Sequence, residues 1–179
     1  MTYFKNTDLS KGFLQLVDMQ CLDERPLWFA EERLLTDFVN KLMAMPWEKR
    51  VLSLLAMANR ANETIKASHP ESFEVCERAL VACKDWLNGK PITPENLAFY
   101  LDADETKNPW MQESIFSGDP AGLNALAFMT MVIGHTAHLA YVNSGKSKYM
   151  SEIISEAGSN IFESIVEYGA PYGLAEFIK

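Results

Sequence analysis

Cysteine and histidine are scarce in this sequence, with three of each among 179 residues. Cys21, Cys76 and Cys83 make no C-x-x-C pair. Cys76 and Cys83 stand seven apart, which on a helix is one face but roughly 10 Å of rise, too far for a disulfide. A disulfide-stapled scaffold is therefore excluded, and the thiols read as small apolar residues of a reducing compartment. Long hydrophobic runs are missing as well. No stretch reaches the roughly 18 uninterrupted apolar residues of a membrane span, and the longest candidate, Leu126 to Ile133, runs on into Gly134 and His135. Met1 to Lys11 has no basic segment leading into an apolar run, so no signal peptide is expected. The expectation is a cytoplasmic protein.

Basic residues are sparse in one half only. Residues 1–90 carry 13 acidic and 12 basic groups, whereas residues 91–179 carry 11 acidic and 4 basic, which places −7 of the net −8 there. A phosphate backbone would be repelled by that half, so nucleic acid is not an expected partner. The same field would draw in a basic protein and speed its encounter. With 48% hydrophobic residues, the composition is that of a globular chain rather than a disordered one.

Period-3.6 patterns fill most of the chain, with turn signals between them. A first helix is expected over Leu9 to Met19 with Asp8 as N-cap, and a second after Pro26 with Leu27, Ala30, Leu34, Phe38 and Leu42 on one stripe. A third follows Pro46, its face formed by Trp47, Val51, Leu54, Leu55, Ala58, Ala61 and Ile65. The fourth, after Pro70, repeats Phe73, Cys76, Leu80, Cys83 and Leu87 and ends at Asn88-Gly89. Thr93-Pro94-Glu95 starts a short fifth helix reaching about Asp102. From Ala103 to Ser117 the chain is polar and irregular, with room for one helical turn around Trp110 to Ile115, anchored by Trp110, Met111 and Ile115. Asp119-Pro120 opens the longest helix, apolar on nearly all sides and hence central. One last long helix is expected from near Ser147, with Tyr149, Ile153, Ala157, Ile161, Ile165 and Tyr168 as its stripe, then a tail turn from Leu174. The expected fold is all-α, a single-domain bundle of about six to seven helices over residues 1–179.

Motifs for chemistry fail on spacing. Gly145-Lys146-Ser147 resembles the end of a phosphate loop, but position 140 is Ala and the segment leaves a helix rather than a strand. His135 and His138 can meet on one helix face, yet there is no HExxH and no glutamate-bearing partner helix, so a core or interface role is expected rather than a metal. The carboxylates Asp102, Asp104, Glu105, Glu113 and Asp119 lack the spacing and central glycine of a calcium loop. No catalytic residue, cofactor or metal is expected.

The segment His69-Pro70, then SFEVCERALVACKDWLNGKPITPENLAFYLD from Ser72 to Asp102, then LNALAFMTMVIGHTAHLAYVNSG, resembles the Imm6-type immunity proteins. That family and the related-looking Imm5 group are all-helical bacterial proteins encoded beside polymorphic toxins. The resemblance rests on Trp86-Leu87 before Gly89, on the short helix that follows, and on the alanine- and aromatic-rich helix ending in Tyr141 to Gly145. It covers about residues 50–168. It implies a protein that binds and neutralises a cognate toxin and has no catalytic residue of its own. Two readings of other classes compete: a small helical enzyme joining His135 or His138 to a carboxylate, and a helical adaptor or regulatory subunit. For a toxin, the expected contact surface is Asp102, Asp104, Glu105, Glu113 and Asp119 with Trp110 as an aromatic anchor. Homodimerisation is left open by the sequence, which does not distinguish an exposed apolar helix face from a buried one.

Overall fold

The longer helices begin where the sequence places a proline or a capping oxygen. The computed structural model describes residues 27–102 and 108–177, so the helix expected over Leu9 to Met19 lies outside the described residues. α1 (Leu27–Ala44) leads through Pro46 to α2 (Trp47–Ile65), and Pro70 opens α3 (Pro70–Leu87). α4 (Pro94–Asp102) starts with the Thr93 hydroxyl oxygen accepting from the Asn96 N–H at 3.2 Å. α5 (Pro120–Asn143) starts alike, the Asp119 carboxylate accepting from the Gly122 N–H at 2.9 Å. A proline at the first helical position has no N–H to leave unpaired, and the cap oxygen takes one of the orphan donors that remain.

α5 is the axis of the molecule. Ala125, Leu126, Phe128, Met129, Val132 and Ile133 are all fully buried. At 100° per residue these positions cover one side, and the buried Ala127, Gly134, His135 and Tyr141 cover the other, so the helix is sheathed nearly all round. α2, α3, α4 and α7 (Phe162–Gly169) supply the sheath, while α1 packs on α7. By length and composition α5 alone among the described helices could cross a bilayer, yet 72% of its apolar window is buried inside the fold. The expected stripes of α2 and α3 face this axis: Val51, Leu54, Ala58, Ala61 and Ile65 from one, Cys76, Leu80 and Cys83 from the other. Each large aliphatic side chain buried in this way contributes about 1.5–3 kcal/mol.

The single long C-terminal helix is not what forms. The chain instead makes a 3₁₀ turn (Ser147–Tyr149), α6 (Glu152–Glu156), another 3₁₀ turn (Ser159–Ile161) and α7. The cause sits on α5. In a continuous helix the Ile154 carbonyl would accept from the Gly158 N–H, and Ala157 from Ile161. Here His138 Nδ1 lies 3.0 Å from the Ile154 oxygen and His135 Nδ1 lies 3.1 Å from the Ala157 oxygen. A carbonyl only accepts, so both rings carry their proton on Nδ1. Two histidines thus take over carbonyls that the helix would have used itself. Gly158, at ψ −127°, turns the chain away, and a Cβ there would stand 3.0 Å from the His138 ring. A 3₁₀ turn (Ala170–Tyr172) and α8 (Leu174–Phe177) finish the described chain, the last being the expected tail turn. Division of the last helix is why eight α-helices, and no strand, stand among the described residues.

Candidate partner-binding surface

The polar stretch after α4 is held at its far end by side chains. Asn108, buried, donates from Nδ2 to the Leu101 carbonyl at 2.7 Å and accepts on Oδ1 from the Trp110 N–H at 2.9 Å. A 3₁₀ helix (Trp110–Phe116) follows. Its inward positions are Gln112 and Phe116: the Ser72 hydroxyl reaches Gln112 Oε1 at 3.4 Å, and the Phe116 ring lies 4.2 Å from the His69 ring. The expected inward anchors, Met111 and Ile115, face the other way. Trp110, Met111 and Ile115 are 44%, 46% and 47% exposed, three large apolar side chains turned to solvent from one short element.

The residues singled out for partner contact separate into groups. Asp102 and Glu113 are exposed. Asp104 and Glu105 lie outside the described residues. Asp119 is engaged within the fold: one oxygen caps α5, and the other stands 3.0 Å from His69 Nε2, linking the start of α5 to His69 at the start of α3. The Gly122 N–H, then His69, hold its carboxyl below the usual carboxylate range. Trp47 and Trp86 pair at 5.6 Å and pack half-buried against the core.

A second exposed apolar group adjoins the end of α4. The Ser151 hydroxyl donates to Asp102 Oδ1 at 3.3 Å, bringing the start of α6 beside that carboxylate. Tyr149 and Ile153, expected on a buried stripe, are 65% and 56% exposed, while their neighbour Ile154 is fully buried. Glu152 and Glu156 are exposed on the same short helix. Lys148 lies over the Tyr149 ring at 4.9 Å, and Lys146 pairs with Glu95 at 2.7 Å, a contact that pushes the exposed Glu95 down to about 2. Hydropathy spacing could not find this surface, because the phase of α6 is set by the histidine bonds and not by its own stripe.

His135 and His138 are both bonded to the backbone of the C-terminal segment. His135 is 2% exposed, and burial pushes it down to about 4, with the nearby Arg50 and His138 charges adding to the effect and the Ala157 carbonyl opposing it. Its Nε2 is buried without a hydrogen-bond partner. Among the described residues, no three His, Cys, Asp or Glu side chains gather as a metal cage. Burial raises Cys76 and Cys83 to about 12, so neither is poised as a nucleophile.

Comparison with family models gives a match to the immunity protein Imm6 over residues 49–170. This is nearly the span, about 50–168, over which the sequence shows the resemblance. The curated proteins contain no match, and neither do the solved structures.

Proposed function

The chain belongs to the Imm6 immunity-protein family, and from that premise we propose that it binds and neutralises a cognate toxin in the cytoplasm of the cell that makes both. The family match carries this reading, and the outward 3₁₀ helix supports it. Trp110, Met111 and Ile115 are the kind of large apolar side chains that fill a pocket on a partner, with Asp102 and Glu113 as polar neighbours. The −7 carried by residues 91–179 suits a toxin with a basic surface, and it disfavours nucleic acid as a direct ligand. Neither a catalytic residue nor a cofactor enters the proposal. Occlusion of the toxin needs only a complementary surface that stays bound.

Co-expression with the toxin encoded beside the gene tests the reading. The expected result is rescue of growth and recovery of a stoichiometric complex. Equal killing with and without this protein, or two proteins that migrate separately after mixing, overturns it. Within the complex, Trp110→Ala should weaken binding by about 2 kcal/mol or more while leaving the unfolding midpoint nearly unchanged. If Trp110 served chiefly to close the core, stability would fall and affinity would not. Reversing Asp102, Asp104 and Glu105 to lysine should slow association and flatten its salt dependence.

A further inference from the structure

We propose that the partner surface extends past α4 onto α6, where a basic protein seats an apolar depression over Ile153 and Tyr149 while its cations face Asp102, Glu152 and Glu156. The inference rests on the toxin-binding reading above and names the part of the surface that neither the sequence pattern nor the family match assigns.

The exposure of Ile153 is imposed by the fold. α6 cannot rotate to bury it, because His138 holds the Ile154 carbonyl, His135 holds the Ala157 carbonyl, and Ser151 is tied to Asp102. Ile154 and Ala157 take the inward positions, leaving Ile153 and Tyr149 56% and 65% exposed, with the Lys148 ammonium over the Tyr149 ring. Beneath α6, Gly134 of α5 completes the seat: a Cβ there would lie 3.0 Å from the Ala157 Cβ and 3.3 Å from Leu101 Cδ1, so the ends of α4 and α6 converge on this one residue. The apolar group is therefore rigidly presented, which lowers the entropy lost on docking.

Hydrogen bonds also join this group to the outward 3₁₀ helix. Trp110 is tied to Asn108, Asn108 to Leu101, and Asp102, the next residue, to Ser151. The two apolar groups thus flank the end of α4 within a single hydrogen-bonded framework. Charge selects the occupant. Glu95 is already matched by Lys146, and Lys148 lies on the Tyr149 ring, while Asp102, Glu152 and Glu156 are exposed and pair with no basic residue among the described residues. An aliphatic–aromatic pair bordered by carboxylates fits a depression rimmed by lysine and arginine.

The test uses the full chain and the toxin co-expressed with it, followed by surface-immobilised kinetics. Ile153→Ala with Tyr149→Ala should speed dissociation at least tenfold, since truncating buried interface anchors acts on the off-rate. Glu152→Lys with Glu156→Lys should instead slow association severalfold at low salt, with the difference fading as salt rises. All four side chains are exposed, so thermal midpoints should stay close to that of the unaltered chain. Folded variants with unchanged on- and off-rates overturn the inference and leave the toxin-binding reading standing. Failure of the unaltered chain to bind the toxin removes both. A third result also overturns it: if Ile153→Asp turns a dimer into a monomer in sedimentation while toxin kinetics stay the same, the face joins two copies of this chain.

Discussion

His135 makes the stability of this protein depend on pH in a calculable way. The imidazole titrates at an ordinary 6.5 in the unfolded chain and at about 4 in the fold. The folded value is depressed, so the unfolded state binds the proton more readily between these limits. Stability is therefore full above pH 6.5 and is lost as pH falls toward 4. A gap of about 2.5 units is worth about 3 kcal/mol once both states are protonated, and about 2 kcal/mol of that is gone by pH 5. Against a typical total of about 5–15 kcal/mol this is a large share. The assay is urea unfolding of the native chain and of His135→Asn at pH 7.5, 6, 5 and 4.5. Asparagine can place an N–H near the position of Nδ1, keep the bond to Ala157, and bring no titrating group. Carboxylates elsewhere lose their native contacts in both proteins, so their contribution cancels in the difference. The native chain should lose about 2 kcal/mol more than the variant between pH 7.5 and pH 5. A difference that stays flat over that range would show His135 to be hydrated or already paired, and would refute the argument.

Three further outcomes follow from the same geometry. Asp119→Ala removes both the α5 cap and the contact with His69, and should cost about 1–2 kcal/mol in denaturant unfolding with toxin affinity unchanged. Gly158→Ala places a Cβ 3.0 Å from the His138 ring and should destabilise by about 1–3 kcal/mol, with faster amide exchange concentrated in α6. Cys76 and Cys83, raised to about 12 and buried, should resist a thiol reagent at pH 8 until the chain unfolds; with Cys21 replaced by serine, labelling should track the unfolding curve, and rapid labelling of the native state would count against their burial.

Local signals were enough for α2 through α5. Pro70, Thr93-Pro94 and Asp119-Pro120 mark starts that need no tertiary help, and apolar spacing alone picks Val51 and Leu80 for the interior. The C-terminal helix was misread because Ile153, Ala157, Ile161 and Ile165 do keep helical spacing. What breaks the helix is a competing donor on each of two residues of α5, and no one-dimensional pattern records where such a donor will arrive. At the 3₁₀ helix the misreading had another source. Gln112 is polar yet buried, because Ser72 satisfies its head group, so hydrophobicity pointed to Met111 and Ile115 instead. Of the residues expected to meet a partner, Asp102 and Trp110 are exposed and Asp119 is engaged in capping, while the exposure of Tyr149 and Ile153 follows from the fold and not from the spacing.

The packing of α1 on α7 governs when the molecule can be finished during synthesis. Between Ala44, where α1 ends, and Phe162, where α7 begins, the ribosome must add nearly 120 residues, which at roughly 5–20 residues per second takes on the order of ten seconds. Throughout that interval α1 lacks the helix on which it packs most, and for the latter part α5 hangs as a freshly made apolar rod without its final wall. A chain truncated before Phe162 would remain in that state. It would be a substrate for chaperones and proteases rather than a shorter version of the same protein.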